Sequence, residues 1–347
     1  MNSKGKISAV QLFMLLSVSR LLSTLTFVPS FGFEAGVSDY IIATLIGGAL
    51  TWIACIPLFI FLKNGEGKSL VRGNKALSLF YCVFFLFSTV FVLLRLRLFV
   101  SSVFFNTAGN LFFTVITVAA VCYCASFSLE ALGRAGSISF VLLCASLGII
   151  FLALKGSLDV NNLSPVFYYG ASPVVKLALG VLVRSGEPAV IYILAPRISG
   201  NLRKGLAVWL SAITAAITLC GLFLMLSLSD AALLQAFPFH AMAELSGFSV
   251  FERMDAVFSG IWIMSAFLKA VLFTLIIKEL FTDCFAGIRQ RYFLTGFGVL
   301  VGAVLLIAES SVLNTAFISS IALRGALFLI FVLILPCFIL IKRRMRV

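Results

Sequence analysis

The residues of this sequence best placed to do chemistry are Arg184, Ser185, Gly186, Glu187 and Pro188. They lie in the middle of Ser172–Pro196, a stretch otherwise apolar and long enough to cross a bilayer. A charge at bilayer depth costs from about 2.5 to roughly 10 kcal/mol or more, depending on the reference state. Proline removes a backbone donor and clashes with the preceding turn, and glycine lowers the cost of leaving helical geometry. A helix interrupted at that depth offers free backbone groups and a charge to a small solute or ion near the midplane. The alternative is a kinked helix whose Arg and Glu pair with each other or with neighbours.

A second polar helix sits near the start of the chain. Residues 11–29 carry Arg20, then Ser23, Thr24 and Thr26, then Pro29. Two polar, breakable helices in matching positions of two halves point to a midplane site between inverted repeats. Serine and threonine also bond their own helix backbone or pack small-residue interfaces, and this first helix has no glycine at its centre. Further charges fall inside apolar runs. Arg95 and Arg97 are two positions apart and cannot share a helix face. Lys269 lies deep in its run, whereas Lys176 and Arg324 fall near ends and read as interfacial.

The elements that must position these residues follow from composition. The chain has 347 residues, 62% hydrophobic and 11% charged, with mean hydropathy +1.16. A soluble domain has roughly 25% charged residues, so this is a polytopic membrane protein. Ten apolar runs are expected to span: 7–29, 38–62, 76–103, 108–128, 135–156, 173–196, 204–229, 254–280, 292–310 and 317–341. They form a single integral membrane domain, 1–347, with one half over about 7–156 and the other over about 173–341. The net charge of +13 suggests nucleic acid, but the basic residues sit in short clusters between the spans. With the N-terminus in the cytoplasm, the inner segments collect Lys4, Lys6, Lys63, Lys68, Arg72, Lys75, Arg134, Arg197, Arg203, Lys204, Lys278, Arg289, Arg291 and the Lys342–Arg346 tail. Both termini are therefore expected inside.

Other chemistries find little support. The eight cysteines lie almost all in apolar runs, with no CxxC pair, and His240 is the sole histidine. Neither a metal site nor a disulfide framework is expected, and no cofactor. His240 reads as an incidental surface residue in an external loop over 230–253 that could form a short interfacial helix. No arrangement within a span suggests an enzyme.

Two stretches resemble the endospore germination permease family, the membrane-transporter-like B subunit of Ger-type germinant receptors. In Asn161–Pro196 the matching positions are Leu163, Pro165, Gly170, Pro173, Gly186 and Glu187. In Phe237–Phe273 they are Pro238, Phe251, Arg253, Asp255, Ala256, Ile261 and Trp262, with Phe251 one residue closer to Arg253 than the pattern asks. Ile7-Ser8, Gln11-Leu12 and Pro29 are also similar. The first span departs from the pattern, with Leu22, Ser23 and Thr24, plus Arg20, where the family usually has glycine.

The resemblance implies an all-α polytopic membrane protein of ten transmembrane helices. Its five-plus-five inverted-repeat, transporter-like fold would have broken helices 1 and 6, and the family is related to the amino acid–polyamine–organocation superfamily. It implies a germinant receptor subunit in the inner spore membrane, working with an A-type membrane subunit and a C-type lipoprotein. On that reading a small nutrient of the amino acid class binds between spans 1 and 6. Ser23, Thr24, Ser185 and Gly186 would supply hydrogen bonds, Arg20 and Glu187 charge, and Arg95 the far wall. Two alternatives stay open: a secondary amino acid transporter of the same fold, and a non-transporting membrane scaffold. Arg20 could pair with Glu187 or with a ligand carboxylate.

Overall fold

The computed structural model describes residues 5–26, 37–64, 69–104, 110–163, 167–168, 170–229, 231–246, 254–285, 288–309 and 320–344. Pro29, Pro165, Phe251 and Arg253 of the motifs above lie outside them.

The chain is helical, as its apolar runs require. Among the described residues, eight helical segments are long and apolar enough to span a membrane: Asp39–Lys63, Lys75–Val103, Leu129–Gly156, Ala171–Arg197, Leu202–Leu228, Asp255–Cys284, Gln290–Ala308 and Ala322–Lys342. Two shorter apolar helices accompany them, Ala9–Leu25 and Leu111–Ala125. Polar residues set the helix starts. Ser8 Oγ accepts the Gln11 N–H and Gln11 Oε1 accepts the Ser8 N–H, both at 3.1 Å, so the Ile7-Ser8/Gln11-Leu12 motif is a capping box for helix α1, Ala9–Leu25. Asn74 caps α4 (Lys75–Val103), Ser128 caps α6 (Leu129–Ala153) and Asn201 caps α9 (Leu202–Leu228).

The second span is α2 (Val37–Ala54) followed, past Cys55, by α3 (Ile56–Asn64). The fourth expected span holds α5, Asn110–Ala125, one of the two shorter helices. The sixth is broken: α7 runs Ala171–Val183 and α8 runs Pro188–Leu194. Proline supplies the reason, because it cannot donate to the turn before it and its fixed φ suits a helix start. Beyond α9 come α10 (Ala231–Leu234) and α11 (Pro238–Leu245), then α12, Met254–Cys284, and α13, Gln290–Glu309. The last span is α14 (Ile321–Phe328), a π-helical turn over Leu329–Ile334, and α15 (Leu335–Arg344). The wider turn leaves the Phe331 carbonyl to accept Tyr81 Oη at 2.8 Å.

The long α12 is central: it packs along α4 and also meets α1, α5, α6 and α11. The broken span packs against α2 and α14, and α1 against α6 and α9. One unexpected strand pair joins distant parts. Ile7–Ser8 (β1) pairs in parallel with Ile198–Ser199 (β2), tying the entry of α1 to the exit of the broken span.

The same end of the molecule carries a charge cluster. Glu279 of α12, nearly buried, meets Arg72 at 2.9 Å and also Arg197, while Arg72 Nε lies 2.8 Å from Asp283. The Leu70 N–H and Ser69 Oγ both donate to the Tyr192 carbonyl, at 3.0 and 3.3 Å. The loop before α4 and the end of α12 thus grip the end of α8. Glu279→Ala is expected to cost about 1–2 kcal/mol in unfolding of the purified protein, since Arg72 and Arg197 are part-exposed and hydrate once released. A cost near zero would show that the strand pair and backbone bonds hold this end without the carboxylate.

Candidate functional site

The break in the sixth span brings together a buried carboxylate, a buried ammonium and a small cavity. Glu187 precedes Pro188 and is 1% exposed. Its Oε1 lies 2.8 Å from Lys269 Nζ on α12 and accepts Ser19 Oγ of α1 at 3.1 Å. Lys269 Nζ also donates to the Ser19 carbonyl at 3.0 Å and to Ser23 Oγ. An ammonium has three N–H groups, and here all three have acceptors. Each charge has a partner, which buried ions require. Glu187 Oε2 is different: it is buried and has no hydrogen-bond partner among the described residues.

Beside Glu187 lies a cavity of about 80 Å³. Its polar lining is Ser23, Ser88, Arg184, Gly186, Glu187, Lys269 and Arg324, and much of its wall is phenylalanine from α4, α12 and α14. Arg324 also lies 4.7 Å from the Phe91 ring centre, and Arg95 approaches the same ring at 5.6 Å. Gly186 keeps a negative φ, and an added Cβ would meet Phe84 Cζ at 3.4 Å. Its use here is to bring bare backbone to the cavity edge, not to reach a left-handed conformation.

The expected site residues divide across the break. Ser23, Gly186 and Glu187 line the cavity. Arg20 and Ser185 face the other way, into a separate cleft of about 10 Å³ against α2 and α9. Arg20 Nη2 donates to the Val181 carbonyl at 2.8 Å, one of the last four carbonyls of α7, which no helical N–H satisfies. Arg20 therefore caps the C-terminus of α7, where a cation is favoured. The ion-pair partner of Glu187 among the described residues is Lys269 rather than Arg20. Thr24 lines neither space; its hydroxyl donates to the Arg20 carbonyl at 3.3 Å. Arg95 lines neither and stands one turn beyond the cavity on α4.

No break falls in the described part of the first span, where α1 is continuous from Ala9 to Leu25. Its hydroxyls explain why polarity did not mean unwinding. Ser17, Ser23, Thr24 and Thr26 all bond carbonyls four residues back, which helix geometry itself provides. Lys269 and Arg324 are the site residues the sequence did not single out. For Lys269 a signal existed: opposite charges at mid-depth of different spans are each other's natural partners. Arg324, near the end of its apolar run, lines the cavity and is not interfacial. His240 is not a surface residue either. It is buried on α11, packs against the Phe99 ring at 5.7 Å, and its Nδ1 lies 3.3 Å from Glu244.

Comparison with known proteins gives two findings. The family described as "Spore germination protein" matches residues 6–316. The chain is 24% identical over 294 residues to "Spore germination protein KB" of Bacillus subtilis (strain 168), covering 78% of this chain and 76% of that protein.

Proposed function

This chain belongs to the spore germination protein family, and on that premise we propose a permease-like germinant receptor subunit that holds an amino acid beside the broken sixth span. The observation that carries the reading is Glu187. Its Oε2 is a buried carboxylate oxygen without a hydrogen-bond partner among the described residues, at the wall of a cavity that also carries Arg184 and Arg324. A zwitterion complements that set. Its ammonium would meet Glu187 Oε2 and the bare backbone at Gly186, and its carboxylate the guanidinium groups, with Ser23 between. Phenylalanine walls suit an apolar side chain. Of the residues expected to bind, Ser23, Gly186 and Glu187 keep a direct role, and Arg20, Thr24 and Ser185 support the two helices from behind.

The cavity is small beside the roughly 300–1,000 Å³ of ordinary ligand sites. Binding would therefore part α4 and α14 from the broken span. A ligand shifts such an equilibrium only by its different affinity for the two states, and the wider state is the one that fits it. In a receptor that shift is the signal. Ten spans in two inverted halves, termini in the cytoplasm, the inner spore membrane, and A-type and C-type partner subunits complete the reading by family. Glu187 is the one carboxylate among the described cavity residues, which gives a multi-carboxylate proton relay no support. This favours a receptor over a proton-coupled transporter.

The test is amino acid binding to purified protein, read by thermal shift across a panel. At least one amino acid is expected to raise the unfolding midpoint of wild type, with Ser23→Ala weakening and Glu187→Gln abolishing the effect. If no amino acid moves wild type, the nutrient site is gone and the scaffold reading takes its place. Uptake of the identified ligand into vesicles would then separate transporter from receptor.

A further inference from the structure

We propose that the cleft on the far side of the break, against α2 and α9, binds a monatomic anion of the chloride type through Arg20 and Ser185. The cleft is lined by Arg20, Thr44, Thr51, Ser185 and Thr214, with Gly48 at one wall. Arg20 is 3% exposed. Its Nη2 is bound to the Val181 carbonyl, but Nη1 is buried and has no hydrogen-bond partner among the described residues. A buried guanidinium nitrogen that lacks an acceptor is costly, and Arg20 lines this cleft, whose hydroxyls sit among Trp209, Leu210, Ile213 and Ile217.

Size and charge define what fits. The volume of about 10 Å³ admits one body of water size. Phosphate, sulfate and carboxylates are excluded by that space. A water would satisfy the N–H groups of Nη1 but would leave one positive charge in excess, because Arg20 and Lys269 share the single carboxylate of Glu187. Across the break Glu187 is already held by Lys269 at 2.8 Å. A monatomic anion supplies the missing negative charge, and chloride, only somewhat larger than a water, enters if the neighbouring hydroxyls turn aside.

The hydroxyls can turn to it. Ser185 is the least committed, with contacts of 3.3 Å to both the Val181 carbonyl and Thr51 Oγ1. Thr51 donates to the Gly47 carbonyl at 2.7 Å and Thr214 to the Leu210 carbonyl at 2.8 Å. Those carbonyls sit inside helices and keep their backbone N–H partners if a hydroxyl rotates away. The donors reach the cleft from α1, α2, the break and α9. An occupied cleft would therefore brace the broken span from the side opposite the cavity.

The experiment uses the full chain, purified and free of amino acids. Its unfolding midpoint is titrated with sodium chloride against sodium gluconate at constant ionic strength, with bromide and phosphate as comparators. Chloride and bromide are expected to raise the midpoint saturably, and phosphate to leave it where gluconate does. Ser185→Ala is expected to raise the half-saturating chloride concentration roughly tenfold, the share of one hydrogen bond to a charged group. Arg20→Gln is expected to abolish the dependence. Should Arg20→Gln fail to fold for want of its bond to Val181, Ser185→Ala decides alone. Equal midpoints in chloride and gluconate would mean that the cleft holds water, and would overturn the proposal. So would a chloride titration unchanged by Ser185→Ala. Neither result bears on amino acid binding in the cavity.

Discussion

Lys269→Met is expected to destabilise the protein by about 3–5 kcal/mol, the cost of leaving a buried ion without its partner. Glu187 would keep the Ser19 hydroxyl, at 3.1 Å, and the more distant charge of Arg20 for a carboxylate that is 1% exposed. The reverse change, Glu187→Gln, strands the Lys269 ammonium, which still has the Ser19 carbonyl and Ser23 Oγ and so loses less. The double variant removes both charges. It is expected to lie much closer to wild type than Lys269→Met, because replacing a buried pair by neutral groups of similar volume is often neutral. The measurement is a double-mutant cycle on the unfolding free energy of purified protein. A Lys269→Met cost below about 1 kcal/mol, or additivity in the cycle, would mean that water already reaches the carboxylate and that the pair does not join α1, α12 and the broken span.

That pair shows where sequence reasoning stops. Hydropathy places a helix to within a few residues when its ends are marked, as with α4, expected over 76–103 and found at Lys75–Val103. The break was legible because Gly-Glu-Pro is a local signal: no helix carries proline in its interior at no cost. The Ser8–Gln11 capping box is also local, although in the sequence those residues stand out only as part of a family motif. What local signals do not contain is direction. Arg20 and Glu187 both lie at mid-depth beside the break, and opposite charge suggested that they meet. Arg20 instead turns to the open carbonyls at the end of α7, a satisfaction that requires knowing how α1 and α7 are rotated. The partner that takes Glu187 is 82 residues away on α12.

Polarity in α1 was ambiguous in another way. Ser23 and Thr24 look the same in sequence whether a helix unwinds or bonds its own backbone. Without a glycine or an internal proline, the helix keeps its geometry and the hydroxyls fold back. Arg324 shows that distance from the end of an apolar run does not fix depth. The span does not run straight through: a π-helical turn follows Phe328, and the residues before it face the cavity with Phe328 and Leu327. In each case the residue type was read correctly and its neighbours were set by helix rotation.

Rotation is fixed by close packing, and the largest steric effect is expected where α2 crosses the broken span. Gly47→Val should destabilise the protein by about 1–3 kcal/mol through overpacking. A Cβ on Gly47 would stand 2.6 Å from Val181 Cβ and 2.8 Å from the Ala178 carbonyl oxygen. Neither atom can swing aside as a side-chain tip can, so α7 itself must move. Val181 is also where Arg20 bonds, and Glu187 follows it by less than two turns. The change should therefore weaken binding on both sides of the break along with stability. Gly148→Val on α6 supplies the control, because nothing lies within 4 Å of its added Cβ. Its unfolding midpoint should stay near wild type, since the substitution gains a little helix propensity and meets no neighbour. If the two variants unfold alike, small-residue contact between α2 and α7 does not hold the broken span in place, and the geometry of the Glu187 site must be set from the α12 side alone.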